Sequence, residues 1–171
     1  MIIRKEQPVD VEKIRQLNLR AFETGLEAKL VDTLRQSGIP LISLVAEEKG
    51  KLIGHILFSP VSIDENISTP AIAGLAPMAV LPNWQKRGVG SRLVEEGLRH
   101  CKNYGYAAVV VLGHSDYYPR FGFVPSVRYG IKSEYDVPDN VFMIKELEND
   151  SLNSLKGLSG IIRYHHAFKD I

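Results

Sequence analysis

The sequence predicts a mixed α/β fold, with helices packed on a central sheet. Two observations carry this. Segments with helical spacing alternate with short apolar runs in the order β-α-α-β-β-β-α-β-α-β. One of those runs, Ala107 to Leu112, is continuously apolar and reads as a strand buried on both faces.

The elements follow in order. Met1 to Arg4 reads as a short first strand. Pro8 and Asp10 mark a helix start, because proline suits a first turn and an aspartate accepts from the free N–H groups there. Val11, Ile14, Leu17, Ala21 and Phe22 then recur at helical spacing until Thr24-Gly25 breaks the pattern. Leu26, Leu30, Val31 and Leu34 predict a second amphipathic helix, stopped by Ser37-Gly38 and Pro40. Leu41 to Glu47 and Leu52 to Val61 predict a hairpin around the polar turn Glu48-Lys49-Gly50-Lys51. Asp64-Glu65-Asn66 predicts another turn. Ala71 to Leu81 predicts a strand, although Gly74 and Pro77 interrupt it and the proline favours an edge or a bulge. A helix pattern runs to about Asn103, and Val141 to Leu147 predicts a late strand.

Composition narrows the function classes. A chain of 171 residues fits one domain with a real core. A formal net charge of +1 gives no global field that would mark nucleic acid as a partner. No apolar stretch approaches the roughly 20 residues needed to span a bilayer, and the first residues turn charged too early for a signal peptide. The single Cys101 lies on the apolar side of its helix and reads as a buried free thiol of a reducing compartment. These features predict a cytoplasmic protein without membrane or nucleic-acid partners. His165 and His166 are adjacent and would face opposite ways in a strand, while His55 and His100 have no evident partner, so no metal is expected.

The chemistry-bearing stretch is Gln85-Lys86-Arg87-Gly88-Val89-Gly90-Ser91, between a strand and a helix. A helix start leaves N–H groups without internal partners and carries partial positive charge, so it suits a phosphate. Glycine lets the anion reach the backbone. A P-loop would need Lys and then Ser or Thr after its last glycine, but Gly90 precedes Ser91-Arg92. A dinucleotide fingerprint would need a third small residue where Leu93 stands. Gln85, Gly88 and Gly90 do match Q/R-x-x-G-x-G/A, the pyrophosphate loop of the GNAT acetyltransferase superfamily, which this sequence resembles. Farther on, Tyr117-Tyr118-Pro119-Arg120-Phe121-Gly122-Phe123 matches a second pattern of that superfamily, a tyrosine, three residues and Gly-Phe. The resemblance covers residues 1–148, and 149–171 is expected to be a C-terminal tail packing on the same domain.

The resemblance implies an acyl-CoA N-acyltransferase fold: a central, mostly antiparallel sheet with a splayed parallel strand pair, Ala76 to Leu81 beside Val109 to Leu112, flanked by helices. It implies acetyl-CoA as acetyl donor and no metal. The acceptor would be a primary amine on a small molecule, or a protein N-terminus or lysine, attacking directly in a ternary complex. The backbone of Arg87, Gly88, Val89, Gly90 and Ser91 would face the pyrophosphate, with Gln85 and Lys86 flanking it. Met78, Ala79 and Val80 would pair with pantetheine through their backbone. Tyr118 would donate to the departing thiolate, with Tyr117 a less suited substitute. The base stays open among Glu27, Glu47, His114 and water. The aromatic tail Tyr164 to Phe168, after Gly157 and Gly160, either covers the acceptor pocket or caps the sheet, and a homodimer through the tail or an edge strand stays open. A non-catalytic acyl-CoA-binding sensor on the same fold is the alternative.

Overall fold

The computed structural model describes residues 1–63, 70–155 and 159–171. The turn expected at Asp64-Glu65-Asn66 and Gly157 lie outside the described residues. The strands are β1 (Ile2–Lys5), β2 (Ile42–Glu48), β3 (Lys51–Ile63), β4 (Ile72–Val80), β5 (Ala108–Leu112), β6 (Val124–Pro125), β7 (Ile131–Ser133), β8 (Phe142–Glu146) and β9 (Gly160–Arg163). The α-helices are α1 (Val11–Ala21), α2 (Leu26–Gln36) and α3 (Val89–Tyr104). The fold is mixed α/β, its sheet mostly antiparallel with one parallel pair between β4 and β5 along the main strand path, and helices flank it.

The chain divides into two compact units. The first comprises Met1–Ser59, Ala76–Arg99 and His166–Ile171. Here β1 pairs antiparallel with β2, and β2 pairs antiparallel with β3 through the expected hairpin, with a bulge between Ala46 and Glu47. Successive strand residues point to opposite faces. Gly54 and Phe58 of β3 meet α3, through Val89 and Leu93 and through Gly97 respectively, whereas His55 meets Asn18 of α1. Ile14, Leu17, Leu34, Leu44, Ile56 and Leu93 are among the side chains buried in this unit. A short 3-10 helix at the chain's end, His166–Asp170, packs on α2, where Lys29 and Asp170 approach to 3.7 Å.

The second unit comprises Pro60–Leu75 and His100–His165. The parallel pairing of β4 with β5 runs over three residue pairs only, Ile72 with Ala108, Ala73 with Val109 and Gly74 with Val110. β8 lies antiparallel to β5 on its other side, and β6 pairs with β8. β9 pairs antiparallel with Ser62 and Ile63 of β3 and parallel with β7. Ile72, Val110, Ile131, Phe142, Ile144 and Ile162 form the centre of this unit's apolar core.

Two expectations change. Among the described residues no α-helix follows Tyr104, although the sequence pattern implied one between β5 and the late strand. The 3-10 turns Tyr118–Phe121 and Ser126–Tyr129 stand there, each closed by a glycine with positive φ (Gly122 at 90°, Gly130 at 70°). His55 is not partnerless either: its Nδ1 lies 3.3 Å from Asn18 Nδ2 and its Nε2 lies 3.0 Å from Ser43 Oγ. Ser43 Oγ donates to Glu6, so the ring's Nε2–H donates to Ser43 and Nδ1 accepts from Asn18. Burial, and secondarily the charge of Arg35, push the His55 pKa down to about 3. Pro77 does not end β4, which runs through it, and the β5 pairing has already stopped at Gly74.

Candidate active site

The expected site residues divide between the two units: the glycine loop and Met78 to Val80 lie in the first, Tyr118 in the second.

In the first unit the loop leads from the end of β4 into α3. Trp84 N–H donates to Leu81 O at 2.8 Å, and Gln85 Nε2 donates to Val80 O at 3.1 Å, which ties the loop to the strand. Lys86 (φ 59°) and Gly88 (φ 82°) both take the left-handed conformation, costly for a residue with a Cβ and free for glycine. A Cβ at Gly88 would meet nothing within 4 Å, so the space beside this residue is open. Among the described residues the backbone N–H groups of Lys86 to Ser91 have no hydrogen-bond acceptor, and the first bond of α3 runs from Arg92 N–H to Gly88 O at 3.1 Å. Val89 and Ala79 are buried beside Gly54 and hold the loop's base, while Lys86 and Arg87 are exposed. The Arg87 guanidinium lies 5.6 Å from the Trp84 ring centroid, which turns this cation along the loop. Such a turn, with free N–H groups at a helix start and two flanking cations, fits a pyrophosphate.

Met78 and Val80 are half-buried. Because β5 pairs with β4 only through Gly74, the β4 backbone beyond that point has no partner from β5. A peptide-like chain can use those groups as another strand would.

In the second unit Tyr118 opens a 3-10 turn and is 7% exposed. Its ring packs on Gly113, where a Cβ would stand only 2.5 Å from Cε2, and it meets Tyr117 and Phe123 edge-on at 5.1 and 5.6 Å. Its hydroxyl makes no hydrogen bond among the described residues. Burial first, and Tyr117 second, push its pKa up to about 12. The phenol therefore stays protonated across any ordinary assay pH and keeps its proton available to donate. Tyr117 is held differently: the Arg120 guanidinium lies 4.5 Å from its ring centroid, and Arg120 Nε donates to its carbonyl.

Comparison with known proteins identifies the family. The family model described as the acetyltransferase (GNAT) family matches residues 11–123. The chain belongs to the GNAT family of acetyltransferases. It is 38% identical over 170 residues to an uncharacterized N-acetyltransferase of Escherichia coli K12, YhbS, covering 98% of each chain. It is 41% identical over 133 residues to another from the same organism, YjhQ, covering 76% of this chain and 74% of that one. The crystal structure of E. coli YhbS in complex with CoA aligns with a TM-score of 0.89 and 37% identity, covering 98% of this chain and 91% of that one. A GNAT acetyltransferase of Brucella melitensis in complex with acetyl-CoA aligns with a TM-score of 0.78 and 34% identity, covering 98% and 97%. As a GNAT protein the chain is an acyltransferase enzyme.

A GNAT reaction on an amine needs a proton acceptor, and the three side chains considered for it stand as follows. Glu47 is engaged by Arg4, whose Nε donates to it at 2.9 Å while the same guanidinium holds Asp10. Glu27 accepts from Thr24 Oγ1 at 3.2 Å at the start of α2. His114 is exposed, and its carbonyl accepts from Tyr117 N–H. Sequence reasoning passed over Glu134 and Tyr135, which meet Tyr164 of the aromatic tail in the second unit. Only the aromatic tail hinted at Tyr164; Glu134 sits in no motif. Among the described residues no group of three or more His, Cys, Asp or Glu is placed to hold a metal ion, and no helix is long and apolar enough to cross a membrane.

Proposed function

We propose that the chain transfers an acetyl group from acetyl-CoA to a primary amine, carried by a small molecule or by a protein N-terminus or lysine. The amine attacks directly while both substrates are bound. The observation that carries this reading is the open left-handed turn at Lys86 and Gly88, whose N–H groups have no acceptor among the described residues. The two similar GNAT structures contain CoA and acetyl-CoA, which supports the same donor here.

In this reading the N–H groups of Arg87 to Ser91 hold the pyrophosphate, with Gln85, Lys86 and Arg87 around it. The backbone of Met78, Ala79 and Val80 holds the pantetheine arm. The bound donor supplies an activated thioester. Tyr118 donates a hydrogen bond to the sulfur as it leaves. Holding both reactants in place removes much of the entropic part of the barrier. Residues 1–148 form the transferase domain. The tail packs on it, a placement supported by β9 beside β3 and by Lys29 near Asp170. The cytoplasm is the proposed compartment, consistent with the buried free thiol of Cys101.

Calorimetric titration tests the donor, with acetyl-CoA, CoA and NAD against the protein and against Gly88→Val. Micromolar binding of acetyl-CoA, no heat from NAD, and at least tenfold weaker binding by the variant are expected, because valine in the left-handed region costs roughly 1–2 kcal/mol and fills the open side of the turn. No binding of acetyl-CoA by the unaltered protein would overturn the proposal.

A further inference from the structure

We propose that Glu134 is the proton acceptor for the attacking amine, a role that rests on the transferase reading above. The argument begins at Gly74, the last β4 residue paired with β5. The ring of Tyr164 lies on that glycine so closely that a Cβ there would stand 2.7 Å from Cε1, with Val61 Cγ1 at 2.9 Å from the same point. Tyr164 thus covers β4 at the point where the two parallel strands stop pairing. Tyr118 packs on Gly113, immediately after β5 ends. Each strand of the parting pair therefore carries its own tyrosine.

Glu134 is fixed to the first of these. Its carboxylate Oε1 accepts from Tyr164 N–H at 3.3 Å, and its own N–H donates to Ile162 O at 3.1 Å, so both ends of the residue are held by β9 and the residue after it. Its side chain is 18% exposed and lines a cavity of about 290 Å³. That volume lies near the lower end of small-ligand sites and suits a small amine or the end of a long one. Around it stand Arg163 and Tyr164, Tyr135 and Asp136 beside it, Lys132 on β7, and Asp139 in the cavity wall. Arg163 NH1 approaches Oε2 only to 3.7 Å and is half exposed, a loose ion pair.

The proton balance is complete. A primary ammonium gives one proton to Glu134, which passes it to solvent. The free amine forms the N–C bond to the acetyl carbon, and the C–S bond breaks with its electron pair moving to sulfur. The second amine proton reaches the thiolate, with the Tyr118 hydroxyl donating to the sulfur and ending protonated as it began.

The test compares acceptors that arrive charged with one that arrives neutral. Thiol release from acetyl-CoA is measured for the full chain and for Glu134→Gln and Glu134→Asp, with ethanolamine, putrescine and lysine methyl ester as charged acceptors and hydroxylamine as the neutral one. Glutamine still accepts from Tyr164 N–H, so the fold is retained. Glu134→Gln should lose about 100-fold in kcat on the charged amines near neutral pH, regain rate as pH approaches the amine pKa, and keep its hydroxylamine rate and acetyl-CoA affinity. Glu134→Asp should recover part of the loss. Equal rates for Glu134→Gln and the unaltered protein on charged amines, or an equal loss on hydroxylamine, would overturn the proposal. Turnover of hydroxylamine alone by the unaltered protein would also overturn it, since no ammonium is then accepted, while leaving acetyl transfer standing. Failure of the unaltered protein to bind acetyl-CoA would instead strike the transferase reading, and Glu134 would fall with it.

Discussion

Replacing Tyr118 by phenylalanine removes one oxygen and nothing else that the fold uses. The ring still packs on Gly113 and against Tyr117 and Phe123. The hydroxyl has no partner among the described residues, so its loss orphans no buried group. Stability should stay within about 0.5 kcal/mol. Catalysis should not. The phenol's pKa of about 12 stands well above the ~8.5 of a thiol in water, so complete proton transfer to a free thiolate is uphill by roughly 5 kcal/mol. The group therefore acts as a hydrogen-bond donor to charge developing on sulfur. A hydrogen bond to a charged partner contributes about 1.5–3 kcal/mol, which is a rate factor of roughly 10 to 150. Thiol release under saturating acetyl-CoA should show kcat falling by that factor. The calorimetric affinity for acetyl-CoA should be unchanged, because the interaction exists only as the bond breaks. The shape of the pH profile should be the same in both proteins, since the hydroxyl does not titrate in the assay range. A kcat within twofold of the unaltered protein would refute the reasoning, and so would a weaker acetyl-CoA affinity large enough to account for the loss.

Two further predictions concern stability. Gly97→Ala would place a Cβ 2.3 and 2.4 Å from the ring atoms of Phe58, which is buried. A helix-propensity gain of about 1 kcal/mol is outweighed by overpacking of up to ~3 kcal/mol, so a net loss near 2 kcal/mol should lower Tm by about 4–8 °C. An unchanged Tm by scanning calorimetry would mean that the ring has room to move. The second concerns His55. The unfolded chain takes up a proton near pH 6.5, about the ordinary histidine value, whereas the folded chain resists until about 3. Its contribution is therefore fully present above the unfolded value and is lost as pH falls toward the folded one, by up to ~1.4 kcal/mol per pH unit. His55→Gln should flatten the dependence of the urea midpoint on pH over that window, and an unchanged slope would show that His55 does not drive it.

The parts of the fold that local pattern controls were legible. Ile14 and Leu17 mark α1, Leu30 and Leu34 mark α2, Ser37-Gly38 falls where α2 stops, and Thr24-Gly25 falls just before α2 begins, α1 having already ended at Ala21. The Glu48 to Lys51 turn closes the predicted hairpin. What was not legible depends on partners far along the chain. β7 and β9 have three and four residues, too few for a period to show, and exist because they pair with each other and β9 with β3. The supposed helix after β5 fails at Pro119 and Gly122, and again at Pro125 and Gly130, where each 3-10 turn is bounded. His55 finds Asn18 and Ser43, which no spacing rule connects. For the candidate site, the glycine loop and Tyr118 were visible because backbone freedom and a fixed aromatic spacing leave local traces. Glu134 was hidden because its place comes from a hydrogen bond to Tyr164, 30 positions later.

The first unit is assembled from three separated stretches of chain, the last of them His166–Ile171. During synthesis the strands and helices before Arg99 leave the ribosome long before the segment that packs on α2. The larger part of the second unit, His100–His165, is made in between. The patch of α2 near Lys29 therefore waits uncovered until His166–Ile171 has been made, and a chaperone or the ribosome surface has that interval in which to engage it. A stop codon or frameshift just before His166 would leave a product with this helix face bare, which quality-control proteases could read as unfinished.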